Sequence, residues 1–444
     1  MIAMPYRKSL LRVTAFALSV TAAAAVTTHT GETWTLSAAM AEARANSPDA
    51  EIARERIEAA RGTVREAASA WMPHLQLESG YSQTDQPMMA FGTILNTGVF
   101  DANIDFNQPG QVDHFHAAAT VAYNLYAGGG PTAHREATRA GERAARADHD
   151  AMLESLGIAV IRGFYSILQA RETAAALASG VDVLRESRRV AQERYDRGQL
   201  LRNDLLNIEV QLAETEVRLL AAENAALLSE RAFLVLLGRE PTGRVRLAED
   251  AGWTAGPPAS AEPSVSLRAE AAAMRARVEA ADAQVDAARS SRRPSVDLFA
   301  TYQYDRGWRL RGDGDSWVAG LRVRMPIFDG GQTSGQIQRS LAERSEARAA
   351  QRKLNLQLQL QLEEARLAHE LARNQLEMTA RLVQQAEESA AISRARFEAG
   401  DLLATELIGA ETRLTEARVR RALAEAGERV AAAELRRAAG LPLQ

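Results

Sequence analysis

The sequence predicts a mainly α-helical chain with a small β part, built as two tandem helix–hairpin–helix units. Three observations carry that prediction. The stretch from Tyr195 to Gly238 is written again from Phe397 to Gly440, with Gly198 on Gly400, Leu200-Leu201 on Leu402-Leu403, Leu205 on Leu407 and Glu209 on Glu411, an offset of 202. Upstream, residues 52–77 match 273–298 at an offset of 221, with Pro73 on Pro294 and Glu58 on Glu279. Between these helical blocks the hydrophobic period changes to two, the signature of half-buried strands. A repeat of this length sets the architecture before any single element is read.

The elements follow in chain order. Residues 1–25 read as an export leader: Arg7, Lys8 and Arg12 head an apolar run from Val13 to Val20, followed by small residues to Ala25. Removing those three basic residues takes the formal charge from −4 to −7, which speaks against a nucleic-acid partner. There is no cysteine, hence no disulfide and no thiolate metal site. No stretch of 18 apolar residues is expected after the leader, so a membrane location requires a closed β-barrel.

The first unit is assigned to 26–240 and the second to 264–444, with a Gly/Pro/Ala-rich linker at 241–263. A helix is expected from Leu36 to Trp71, rich in good helix formers and stopping before Pro73. A hairpin at 74–128 follows, with a long loop at 82–114 in which Phe91 and Phe100 fold inward as a lid. Its counterpart is the hairpin at 295–328. Leu75, Leu77 and Tyr81, then Phe115, Ala117, Ala119, Val121, Tyr123 and Leu125, form apolar faces. Val296, Leu298, Ala300 and Tyr302, then Trp317, Ala319, Leu321, Val323, Met325 and Ile327, do so in the second copy, with Arg322 and Arg324 opposite. The two hairpins hold 13 of the chain's 23 aromatic residues. Together with export, that favours a barrel with a lipid-facing band over a soluble sheet. Membrane barrels have at least about eight strands, so several chains must contribute strands to one barrel.

Long helices are expected at 129–194 and 331–396, each 66 residues and thus about 100 Å long, with coiled-coil packing. Return helices at 202–238 and 404–438 are shorter. The economical packing stacks two short helices end to end beside each long one. Triple glycine Gly128–Gly130 lacks the context of a phosphate loop and reads as a strand-to-helix break.

The export leader, the tandem units, the aromatic-x-x-Gly turns and the NLYAGGG (Asn124–Gly130) and PIFDGG (Pro326–Gly331) junctions together resemble the TolC-like outer membrane factors over essentially the whole mature chain. The resemblance implies a homotrimer whose twelve strands form one outer-membrane barrel continuous with a helical α-barrel in the periplasm. It implies an exit duct for a tripartite efflux pump or type I secretion system, completed by a periplasmic adaptor (membrane fusion protein) and an inner-membrane transporter. Adaptor-contact turns then fall on Tyr195, Gly198, Leu200, Leu201, Phe397, Gly400, Leu402 and Leu403, and an acidic gate ring on Asp204 and Glu406. Clustered carboxylates raise one another's pKa and attract cations. The chain departs from the family pattern at Gly409, where some members carry a second carboxylate, and at Phe397, which has no hydroxyl to offer as a link.

Each of these residues also has a plainer reading: helix caps for the glycines, packing at the helix ends for the leucines, a solvated face for the acids. No HExxH, nucleophile elbow or kinase set is present, so no enzyme and no cofactor is expected. His114-x-His116 offers two imidazoles without a third ligand, a poor metal site, and no metal is expected. The alternative to a duct is a periplasmic coiled-coil adaptor or scaffold without a barrel.

Overall fold

A computed structural model describes residues 33–105, 107–248 and 265–443. The leader expected at 1–25 and most of the linker lie outside them. Strand β1 (Thr33–Trp34) leads through Thr35, whose hydroxyl accepts from the Ala38 amide, into α1 (Leu36–Asn46). α2 (Pro48–Ser69) follows. The single helix expected over Leu36–Trp71 is therefore two. Pro48 holds Ser47 in extended backbone (φ −65°, ψ 132°) and brings no N–H to continue the helical ladder.

β2 (His74–Thr84), α3 (Pro87–Asn96) and β3 (Val112–Ala127) come next, so the segment expected as loop contains a helix. α4 (Gly130–Asp196) and α5 (Arg202–Leu236) complete the first unit. β4 (Arg246–Leu247) returns to pair in parallel with β1. The second unit runs α6 (Ala269–Ser290), β5 (Ser295–Gly307), β6 (Gly312–Arg324), α7 (Gln332–Ala399) and α8 (Ala404–Ala438).

The two hairpins join in one antiparallel sheet ordered β2-β3-β5-β6. The helices repeat that order: α2 packs on α4, α4 on α6 and α6 on α7. Further along, α5 packs on α4, α4 on α8 and α8 on α7. Each strand thus continues into a helical stave, and α2 and α5 share α4 while α6 and α8 share α7. Both strand-to-helix junctions turn on glycine pairs with positive φ, Gly128-Gly129 (64°, 87°) and Gly330-Gly331 (65°, 90°). Only glycine takes this backbone at no steric cost. At Gly128 a Cβ would also come within 2.7 Å of the Ser290 carbonyl oxygen.

The main core lies midway along the staves, where Trp34, Leu36 and Met40 meet Ile161, Phe164, Ile167, Phe233, Leu237 and Leu443. One expectation changes here. α4 does contain a window apolar enough to cross a membrane. Its Leu156, Ile158, Val160, Ile161 and Phe164 are buried in this core, which accounts for that composition without a lipid. The β1–β4 pair closes over the same core, where Glu230, 1% exposed, accepts from Arg171 at 2.8 Å.

Candidate functional site

At one end of the staves the two helix-to-helix turns share a geometry. Gly198 (φ 74°) and Gly400 (φ 92°) end their helices. The Gln199 amide donates to the Arg194 carbonyl and Asp401 to Arg396, each at 2.9 Å or less, the Schellman closure that a left-handed glycine permits. Leu201 and Leu403 sit at the N-caps of α5 and α8, which places Asp204 and Glu406 in the first helical turns. A carboxylate there is favoured by the positive end of the helix dipole.

The sequence-equivalent residues then part company. Phe397 is 1% exposed, packed with Ala191, Leu205, Ile208, Ala404 and Leu407, whereas its counterpart Tyr195 is 37% exposed. Leu200 and Leu402 pack against the same small core, while Leu201 and Leu403 project into solvent, 72% and 62% exposed. Asp204 is half-buried and Glu406 exposed. A residue the sequence reading passed over ties the turns together: Arg194 donates from Nη1 to the Phe397 carbonyl at 2.8 Å and lies 5.4 Å from that ring's centroid. Its repeat partner Arg396 instead donates to the Asp401 carbonyl within its own turn. The equivalent positions of the two arginines are visible in the internal repeat, but their divergent partners are not.

Further up the staves a cavity of about 370 Å³ lies between α4, α5 and α8, lined in part by Gly180, Thr215, Thr415 and Glu411. Glu411 is 3% exposed. Burial holds its carboxyl above the usual range despite Arg394 and Arg418 nearby. Arg394 Nε lies 2.9 Å from Oε1 but is out of line for a hydrogen bond, leaving that oxygen without one among the described residues. A raised folded-state pKa means that the folded chain binds the proton more tightly. Stability contributed by this group should therefore rise as pH falls through the raised pKa toward the ordinary carboxylate value. Glu411→Gln should flatten that part of the pH profile, checked by thermal unfolding across mildly acidic to neutral pH.

At the other end, the sheet has two chemically distinct faces. Cross-strand register aligns Leu77, Ala119, Tyr302 and Trp317 in one row, and Leu75, Val121, Ala300 and Ala319 in the next. The opposite face carries Gln76, Thr120 and Thr301, then Glu78, Gln303 and Ser316. Two strand assignments are corrected. A bulge between Asn124 and Tyr126 brings Tyr126, not Leu125, opposite Val296. β6 ends at Arg324, so Met325 and Ile327 lie beyond the strand. The C-terminal end of α3 lies across β6: a Cβ on Gly314 would meet the Asn96 carbonyl oxygen at 2.2 Å, and one on Gly312 the carbonyl oxygen of the C-cap Thr97 at 2.7 Å. Because Gly314 pairs with Asp305, this segment covers the polar face. Phe91 and Phe100 contact each other edge to face at 6.3 Å.

The model of the outer membrane efflux protein family matches residues 39–239 and 266–441. The chain is similar to protein CyaE of Bordetella pertussis, 26% identical over 51% of this chain and 49% of that one. It is similar to the fusaric acid resistance protein FusA of Burkholderia cepacia, 27% identical over 69% of this chain and 57% of that one. The chain thus spans about half the length of the curated relatives it matches. Among solved structures, the outer membrane protein VceC of Vibrio cholerae superposes with a TM-score of 0.76 at 20% identity, covering 92% of this chain and 97% of VceC.

Proposed function

The chain belongs to the outer membrane efflux protein family, and on that premise we propose that it is the exit duct of a tripartite efflux pump or type I secretion system. Its seat is the outer membrane, with the staves extending into the periplasm, and it is a channel protein, not an enzyme. The observation that carries the proposal is a slab with two open edges. Among the described residues, β2 and β6 each lack a partner on one side of the sheet. The helices on those same edges expose apolar rows: Leu206, Val210, Val217, Leu220, Leu228 and Val235 on α5, and Leu356, Leu360, Leu367, Leu371, Met378 and Leu382 on α7. The α7 row steps alternately by four and seven, an eleven-residue repeat close to the helical period, so these residues fall on one stripe. Lipid tolerates no open strand edge, and each buried leucine contributes about 1.5–3 kcal/mol. Further copies of the same chain close both edges at once. Three copies give the twelve strands of the homotrimer, with outer-membrane lipid around the apolar face.

In this assembly the glycine turns form the periplasmic entrance. The exposed Leu201 and Leu403 offer the adaptor an apolar grip beside turns of fixed geometry, and Asp204 and Glu406 ring the bore as the gate. The inner-membrane transporter supplies the energy. A barrel-free scaffold has no use for a sheet whose exposed face carries Trp317 and Leu321, 75% and 65% exposed.

The experiment pairs fractionation with planar-bilayer recording. The native chain is expected in the outer-membrane fraction as a trimer that conducts ions. Asp204→Asn with Glu406→Gln should lower its cation preference. A unit charge about 10 Å from a permeating ion in water is worth roughly 0.4 kcal/mol, about twofold per carboxylate. Unchanged selectivity would reject the gate assignment alone. Recovery as a soluble monomer would reject the duct.

A further inference from the structure

The polar face of the sheet brings together three side chains that no part of the duct reading uses. His114 and His116 lie two apart on β3 and so point to one face. The β3–β5 register sets His116 directly opposite Asp305. His114 Nε2 lies 2.6 Å and His116 Nδ1 3.0 Å from the same Asp305 oxygen, Oδ1. All three potential ligand atoms fall within 4.8 Å of one another. The Asp305 side chain is 2% exposed, and the imidazoles are 22% and 31% exposed. A carboxylate so buried needs cationic or hydrogen-bonding partners, and here both imidazoles converge on a single oxygen. Its other oxygen, Oδ2, accepts from Gln303 Nε2 at 3.3 Å, an outer contact that fixes the carboxylate's orientation as such contacts do around metals.

We propose that His114, His116 and Asp305 form a binding site for a divalent first-row transition-metal ion of the Zn²⁺, Ni²⁺ or Cu²⁺ class. Two imidazoles and one carboxylate suit those ions, whereas Mg²⁺ and Ca²⁺ favour all-oxygen sets with more ligands. Ligands about 2.0–2.2 Å from a tetrahedral ion stand roughly 3.4 Å apart, a spacing these atoms reach by small side-chain rotations. The partial exposure of the imidazoles leaves an approach for the ion and a position for water. Entry of the ion displaces protons from the imidazole nitrogens that now face Asp305. Because β3 and β5 belong to different hairpins, the ion would clip the two repeats together. It would do so beside Gly314, where the C-terminal end of α3 crosses the sheet.

The test uses the purified full-length protein in detergent and requires no channel activity. Titration calorimetry with Zn²⁺ is expected to show saturable binding of one ion per chain that excess Mg²⁺ does not compete away. Cu²⁺-loaded native protein should give an electron paramagnetic resonance spectrum with nitrogen hyperfine splitting from two imidazoles. The His114→Ala/His116→Ala variant, checked for an unchanged circular-dichroism spectrum, should lose at least about tenfold in Zn²⁺ affinity. No stoichiometric binding to the native protein, or binding undiminished in the folded variant, would overturn the proposal and leave the cluster as a cross-strand hydrogen-bond network. The native-protein measurements decide the matter even if the variant does not fold.

Discussion

Leu321→Arg is expected to remove most of the protein from the outer-membrane fraction, while Val318→Arg on the same strand is tolerated. Leu321 is 65% exposed on the apolar face, opposite Leu298 and between Ala319 and Val323. Val318 is 52% exposed on the other face, opposite Thr301. In a lipid-embedded barrel an arginine near the midplane of the lipid face costs about 2–4 kcal/mol in each chain, and a lumen-facing one little. In a soluble sheet both positions face water, and both changes should be near neutral. Membrane fractionation followed by immunoblotting reads the difference. Equal recovery of the two variants would contradict a lipid-facing band.

The second large effect is expected at the periplasmic turns. Phe397→Ala should destabilise that end of the molecule by about 3–5 kcal/mol, the usual cost of emptying a fully buried aromatic site. The change also takes away the ring beneath Arg194. Tyr195→Ala, at the equivalent position of the first unit, should cost far less. Tyr195 is over a third exposed, with the Arg202 guanidinium 5.7 Å from its ring centroid. Amide hydrogen exchange across the two turns provides the measurement: protection should collapse in the Phe397 variant and persist in the Tyr195 variant. Matching losses in both would mean that the turns are equivalent after all, and that Arg194 does not hold them together.

Much of this architecture was legible in the residues. The offset of 202 places Gly198 on Gly400 and Gly128-Gly129 on Gly330-Gly331, and all of these adopt positive φ. The period-two runs became strands, and the mainly helical class is shared with VceC. Composition carried less far. The apolar stretch of α4 is buried in a core built partly from the short β1–β4 pair and the C-terminal Leu443, partners too distant in sequence to announce themselves. Pro48 was in plain view, yet the strong helix formers on both sides of it masked the break. The helix inside the long loop has only ten residues, too few for a helical period to stand out against its apolar composition.

What the sequence determined by itself is therefore whatever depends on local backbone physics: the repeat, the helix and strand periods, and the glycine turns. Tertiary structure alone decided which equivalent residues diverge and which distant ones meet. Repeat symmetry treats Tyr195 and Phe397 alike, but only one has its neighbours closed over it. The metal ligand that His114 and His116 lacked along the chain stands 191 residues from His114. It reaches them because inter-hairpin register, set by backbone hydrogen bonds between β3 and β5, places Asp305 opposite His116. A slip of one residue would turn that carboxylate to the other face, and no period within a single strand encodes that alignment.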